Sequence, residues 1–132
     1  MAEIAQGLHY AKTHEWVKLD GDVATIGVSD FAQSELGDIT YIELPEPGTT
    51  ITQGEPLGVI ESVKAASDIF APVSGEVVEV NQDAINVPDV VNSSPYDKAW
   101  LVKVRLSNPG EIDNLMDAAA YETFVAEQEG GH

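Results

Sequence analysis

"GVIESVKAASDIF", residues 58–70, reads as two β-branched runs that meet at a tip of small residues around one lysine. Ile60 and Val63 lead in, and Ile69 and Phe70 lead out. The pattern predicts a tight hairpin with both arms anchored in a core and Lys64 exposed at its turn. The tip "SVKAAS" holds no Gly, Asn or Pro, so a type I turn is expected rather than a primed one. Lys64 is also electrically alone. Between Leu19 and Asp97 there is no Arg, no His and no other Lys, against fifteen Asp and Glu.

The flanks are strand-like. "EWVKLDGDVATIGVS" alternates around an Asp-Gly pair and predicts a second hairpin. "SDFAQSELG" predicts a short helix near residues 29–36, with Ser29 as N-cap and Gly37 beyond its end. "DITYIELP" is a strand closed by Pro45. "TTITQGEPLGVIESV" contains another, broken by a turn at Gln53-Gly54, and "SDIFAPVSGEVVEVN" gives two more, separated at Ser74-Gly75. "GDITYIELPEPGTTI" and "SDIFAPVSGEVVEV" echo one another in an Asp-Ile start, a Pro and a Gly-containing turn before a strand. That echo predicts two related half-sheets with the Lys64 hairpin between them. After Asn81 come one helical turn, a loop and a last strand, "AWLVKVRL". Asn108, Pro109 and Glu111 then form a capping-box pattern. Asp117 is placed to cap a further helix presenting Tyr121, Phe124 and Val125. Short strands at regular spacing predict a mainly β sandwich or barrel with C-terminal helices packed on it. The expected division of the 132 residues is one domain, with a β core over about 10–106, helices over 108–128 and a frayed tail over 129–132.

Composition narrows the function. Six Lys and Arg against 23 Asp and Glu give a formal charge of −17. Cations drive binding to phosphate backbones, so nucleic acid is an improbable partner, and anionic membrane surfaces would repel the chain. The same charge favours a monomer and partners with basic faces. No apolar run approaches the ~18 residues of a membrane helix, and no export or organelle signal is visible. Zero Cys removes disulfides, thiolate metal sites and thiol nucleophiles, which fits a reducing cytoplasm and equally a processed organelle protein.

Conventional catalysis is missing. His9 and His14 could supply two metal ligands, but no third has a recognisable spacing, and both are expected to be exposed loop residues; His132 is terminal. There is no nucleophile elbow, P-loop or dinucleotide fingerprint. Three readings of Lys64 therefore compete. It is a surface lysine paired with Glu61 or Asp68, which contributes only ~0–1 kcal/mol. It is a Schiff-base amine, which needs a depressed pKa that neighbouring carboxylates oppose. Or it is an attachment point, for which a modifying enzyme supplies the activation and the chain supplies exposure and shape.

"ESVKAASD", then "APVSGEVVEVN" and "NSSPYDKAWLVKV", resembles the H proteins of the glycine cleavage system. The likeness extends upstream through "THEWV", "ATIGVSDFAQSELGD" and "ELPEPG", and downstream through "LMDAAAYETF". It covers residues from about Leu8 to Val125. The resemblance implies a flattened barrel-sandwich hybrid of the lipoyl/biotinyl kind, with lipoic acid amide-linked to Lys64. It implies that Glu61 and Gly75 serve recognition by the lipoylating enzyme, and that Glu15, with Asp68 beside the tip, lines a cleft that shelters the loaded arm. Glu15 has the competing reading of a solvated strand-edge charge, and Gly75 that of a turn residue. The implied partners are a pyridoxal-phosphate glycine decarboxylase, a tetrahydrofolate-dependent aminomethyltransferase, a flavin dihydrolipoyl dehydrogenase and the lipoylating enzymes. The chain would then be a carrier and not an enzyme. The alternatives are a carrier relaying lipoyl groups to other proteins, a lipoyl domain of a 2-oxo acid dehydrogenase, a biotin carrier, or a Schiff-base lyase. The dehydrogenase and biotin modules carry Asp-Lys-Ala or Met-Lys-Met at the tip, where this chain has Val-Lys-Ala.

Overall fold

The computed structural model describes residues 3–130. Alternating apolar positions fold into nine strands and several short helices: β1 (His9–Tyr10), β2 (Glu15–Asp20), β3 (Val23–Val28), α1 (Asp30–Leu36), β4 (Ile39–Glu43), β5 (Thr50–Ile51), β6 (Pro56–Ser62), β7 (Ala66–Phe70), β8 (Gly75–Val80), α2 (Gln82–Asn86), α3 (Val90–Ser93), β9 (Val102–Leu106), a 3-10 helix (Pro109–Asn114) and α4 (Ala118–Gly130). Six strands form one antiparallel sheet in the order β1-β2-β3-β9-β8-β5, and three form a second in the order β4-β6-β7. The core lies between them. Ile42, Ile60 and Ile69 come from the small sheet, and Val17, Ile26, Val77, Val102 and Val104 from the large one. Burying each such side chain contributes about 1.5–3 kcal/mol, which drives the two sheets together.

The strands of the two echoing segments take corresponding places in the sheets. β4 and β7, the first strands of the two echoing segments, flank β6 on opposite sides. The second strands, β5 and β8, pair with each other in the large sheet. The Lys64 hairpin thus joins β6 to the first strand of the second echoing segment.

The turn at Gly21 and the α1 helix follow the sequence reading, with Ser29 Oγ accepting from Ala32 N. Four features do not. The stretch after Asn81 holds two short helices, α2 and α3, rather than one turn. The capping box at Asn108 is not made, because the Asn108 side chain caps nothing and the Glu111 carboxylate is used elsewhere. It accepts from Ser74 N and Ser74 Oγ, both at 2.7 Å, pinning the 3-10 helix to the loop before β8. Val63 is 69% exposed, so of the two residues expected to lead in only Ile60 is buried. Gly75 is not a turn residue. It opens β8 as a buried residue without a positive φ, and a Cβ there would stand 2.1 Å from the Arg105 carbonyl oxygen. Close approach of β8 to β9 excludes a side chain at this position.

At the C-terminus Asp117 Oδ1 accepts from Ala120 N at 2.8 Å and caps α4 as expected. Tyr121 and Val125 are buried in a second apolar cluster with Leu8, Tyr10, Trp16 and Phe31. α4 is helical to Gly130, and residues 131–132 of the expected frayed tail, His132 among them, lie outside the described residues.

Candidate functional site

The hairpin tip is ordered by one hydroxyl. Glu61 pairs with Ala66, and Ser62 N donates to Ala65 O at 2.7 Å. The return bond is made by the Ser62 side chain, whose Oγ accepts from Lys64 N at 3.3 Å and Ala65 N at 3.1 Å. Among the described residues His14 is the one non-glycine at positive φ, so the tip contains no primed turn, as its residues predict. Val63 N donates to Asp38 O at 3.0 Å, tying the tip to the chain after α1. The Lys64 stem lies over Gly37, where an added Cβ would stand 3.4 Å from Lys64 Cε. Gly37 was read in the sequence only as a helix stop.

Lys64 is exposed and makes no ion pair within 4.0 Å; the one such pair among the described residues is Lys103–Glu79 at 3.7 Å. The reading of Lys64 as half of a surface pair with Glu61 or Asp68 is therefore not met. Glu61, half-buried, and Asp68, exposed, share the outward face of the small sheet, opposite Ile60 and Ile69. Asp68 and Phe70 follow one another on that face of β7, leading away from the tip.

Where this track ends, the loop before β2 covers it. A cleft of about 250 Å³ is lined by Lys12, Thr13, Gln53, Phe70, Pro72 and Leu115, among others. Glu15 stands behind its wall. Two of the cleft's lining residues hold the carboxylate: Thr13 Oγ1 donates to Oε1, and Phe70 N donates to Oε2 at 3.1 Å. Glu15 is 2% exposed, which corrects the reading of a solvated strand-edge charge. Burial pushes its carboxyl up to about 7, against the Thr13 and Phe70 bonds that favour the ionised form. At neutral pH this group is poised between acid and carboxylate.

The two histidines are not exposed loop residues either. His9 lies half-buried in β1, and His14 is half-buried with its ring tilted against Phe31 at 4.8 Å and Nδ1 2.8 Å from Tyr121 Oη. Burial lowers the His14 pKa, with Glu35 opposing.

Residues 8–128 match the family model described as glycine cleavage H-protein. The chain belongs to that family. It is 52% identical to the glycine cleavage system H protein of Marinobacter nauticus over 130 residues, covering 98% of this chain and 100% of that protein. It is 50% identical to the mitochondrial glycine cleavage system H protein 2 of Arabidopsis thaliana, covering 98% of this chain and 83% of that one. The crystal structure of a glycine cleavage system H protein from Mycobacterium marinum superposes with a TM-score of 0.84 at 34% identity, covering 98% of this chain and 100% of that one. The H-protein fold is therefore shared over nearly the whole chain. No described helix is long and apolar enough to cross a membrane.

The sequence reading names Lys64, Glu61, Gly75, Glu15 and Asp68 as site residues and does not name Ser62 and Thr13, whose hydroxyls bond the tip and the Glu15 carboxylate. A serine two residues before the lysine was a signal for the first, since a Ser hydroxyl mimics a turn carbonyl. Nothing local marked Thr13.

Proposed function

We propose that this chain is the lipoyl carrier of the glycine cleavage system, with lipoic acid joined by an amide to Lys64 Nζ. The observation that carries this reading is the unpaired, exposed Lys64 on a rigid tip, in a chain of the H-protein family. A lipoyl group supplies a dithiolane that is reduced, carries a one-carbon cargo and is reoxidised; this chain supplies its position.

The residues fit such an arm. Its stem and acyl chain reach on the order of 10–15 Å, at ~1.5 Å per bond. β7 from Ala66 to Phe70 spans about 13 Å, at ~3.3 Å per residue. An arm laid along the outward face of β7 would pass Asp68 toward the cleft, where Phe70, Pro72 and Leu115 offer apolar wall that would hold its end. There the Glu15 carboxylate would receive a cationic amino group of the cargo in a charge-assisted hydrogen bond. Thr13 and Phe70 N hold that carboxylate in place, and the surrounding wall excludes water.

Glu61, next to the tip on the outward face, serves as an acidic handle for the lipoylating enzyme. Gly75 acts at a distance, by letting β8 seat against β9 and so fixing the sheet from which the hairpin projects. The partners are glycine decarboxylase, aminomethyltransferase and dihydrolipoyl dehydrogenase, in a bacterial cytoplasm or an organelle matrix, with the chain acting as a monomeric carrier and not as a catalyst.

Peptide mapping of the protein from cells supplied with lipoate tests the reading. A lipoyl mass increment confined to the peptide containing Lys64 is expected. An unmodified Lys64 that becomes trapped with a carbonyl substrate on borohydride treatment would replace the carrier with a Schiff-base lyase.

A further inference from the structure

The loop that presents Thr13 and Glu15 is held from the far end of the sequence. His14 sits at φ 77°, a conformation a non-glycine residue keeps only when its surroundings enforce it. Its backbone is pinned on both sides: His14 N donates to Ala11 O and Ser29 N donates to His14 O, each at 2.9 Å. Its ring is pinned by α4, through the contact between Nδ1 and Tyr121 Oη. Tyr121 Oη lies 2.6 Å from Ser29 Oγ as well, and Ser29 is fully buried. Ser29 Oγ accepts from Ala32 N, so one hydrogen-bonded chain links α1, the Tyr121 hydroxyl of α4 and the His14 ring of the loop.

This network absorbs the residues that the carrier reading leaves unused. We propose that Tyr121 is a positioning residue for the cleft: its hydroxyl fixes the His14 ring, and thereby the loop on which Glu15 meets Phe70 N and the docked arm. The inference rests on the assignment of Glu15 to the cargo. The ring of Tyr121 stacks on Tyr10 with centroids 4.2 Å apart and planes 1° apart, so removing the hydroxyl alone leaves the packing in place. The hydroxyl therefore acts on the loop, not on the core. Without it, the His14 ring loses the hydrogen bond at Nδ1 and Ser29 Oγ loses its contact with Oη. The ring then keeps only its packing against Phe31 and Phe124 to hold the backbone at positive φ.

Tyr121→Phe tests this in two measurements. In the unmodified protein, hydrogen exchange at the Phe70 amide is expected to accelerate by roughly fivefold, the factor for about one net hydrogen bond. The amide of Val104, in the core of the large sheet, should keep its wild-type rate. A Phe70 amide as protected as in the wild type overturns the proposal, and so does an equal loss at Val104, which would mark a general loosening. In the lipoylated protein loaded from glycine by glycine decarboxylase, Tyr121→Phe and Glu15→Gln should each speed the spontaneous loss of cargo. The double variant should be no faster than Glu15→Gln alone, because the hydroxyl acts through that carboxylate. Multiplying effects overturn the proposal. Should Glu15→Gln leave cargo loss unchanged while the Phe70 amide is still exposed by Tyr121→Phe, the Glu15 assignment fails and the hold of Tyr121 on the loop stands.

Discussion

The Lys64 tip and the Glu15 loop are the two ends of the proposed track, and they are built by opposite rules. The tip is exposed, held by backbone bonds and a single serine hydroxyl, and its lysine touches no opposite charge. The loop is sunk into the fold, and its carboxylate is gripped by a hydroxyl and an amide. A modifying enzyme must surround the lysine, so access rules there. At the carboxylate burial rules, and the molecule tolerates a group whose ionisation is penalised by that burial. In the proposed carrier the contrast separates where an arm would be joined from where its far end would rest.

The sharpest attempt to break it is at the tip. Lys64→Ala should abolish lipoylation and glycine decarboxylation in a reconstituted system while leaving the thermal midpoint within error, because an exposed, unpaired side chain contributes almost nothing to folding. Turnover by the variant would end the carrier assignment. A fall of several degrees in the midpoint would show that the lysine is structural after all.

The loop should answer in the other currency. The folded pKa of Glu15, about 7, exceeds its ordinary value of 4.5, so its contribution to stability is fully present below about 4.5 and lost as pH rises through about 7. Glu15→Gln removes that titration. Between pH 5 and 8 the stability gap between variant and wild type should move by about 2–3 kcal/mol in the variant's favour, read by urea unfolding at each pH. A constant gap would mean that the carboxylate is as comfortable inside as in water, and the contrast with the tip would collapse.

The smallest effect sharpens the picture of the tip. Ser62→Ala removes exposed hydrogen bonds and should cost no more than about 1 kcal/mol. It should raise the KM for lipoylation a few-fold with kcat unchanged, since the lysine would be presented in several orientations. Unchanged lipoylation kinetics would show that exposure alone, without a fixed tip, is enough.

What the sequence disclosed and what it hid divide along the same line. Strand alternation, the Asp-Gly turn and the solitary lysine are local signals, and each matched its element. The hairpin was legible too, but its Glu61–Ala66 register was not read from the sequence. The fate of Glu15 was hidden, because burial of a strand-end carboxylate depends on Phe70, 55 residues away. Glu111 misled for the same reason: its spacing from Asn108 is that of a local cap, but Ser74, 37 residues distant, offered two donors at once. Gly75 looked like a turn because glycine after serine usually is one. Its true constraint is the carbonyl of a neighbouring strand, which no local pattern encodes.

The placement of the remaining cations has a consequence for encounters in solution. Lys103 and Arg105 lie on β9 opposite Glu79 and Glu76 of β8, and Lys18 lies on β2, all in the large sheet. The small sheet contributes none of its own, and acylation of Lys64 would take the formal charge from −17 to −18 at its tip. Of the other two cations, Lys12 lines the cleft and Lys98 precedes β9; the small sheet is left the more acidic of the two, and such a division would give the molecule an electric dipole. In the field of a basic partner the molecule would turn before contact, small sheet foremost, so that a larger share of collisions begins with the arm facing the right way. That bias fades beyond a Debye length of about 8 Å at physiological salt, so raising the ionic strength should slow association by randomising approach.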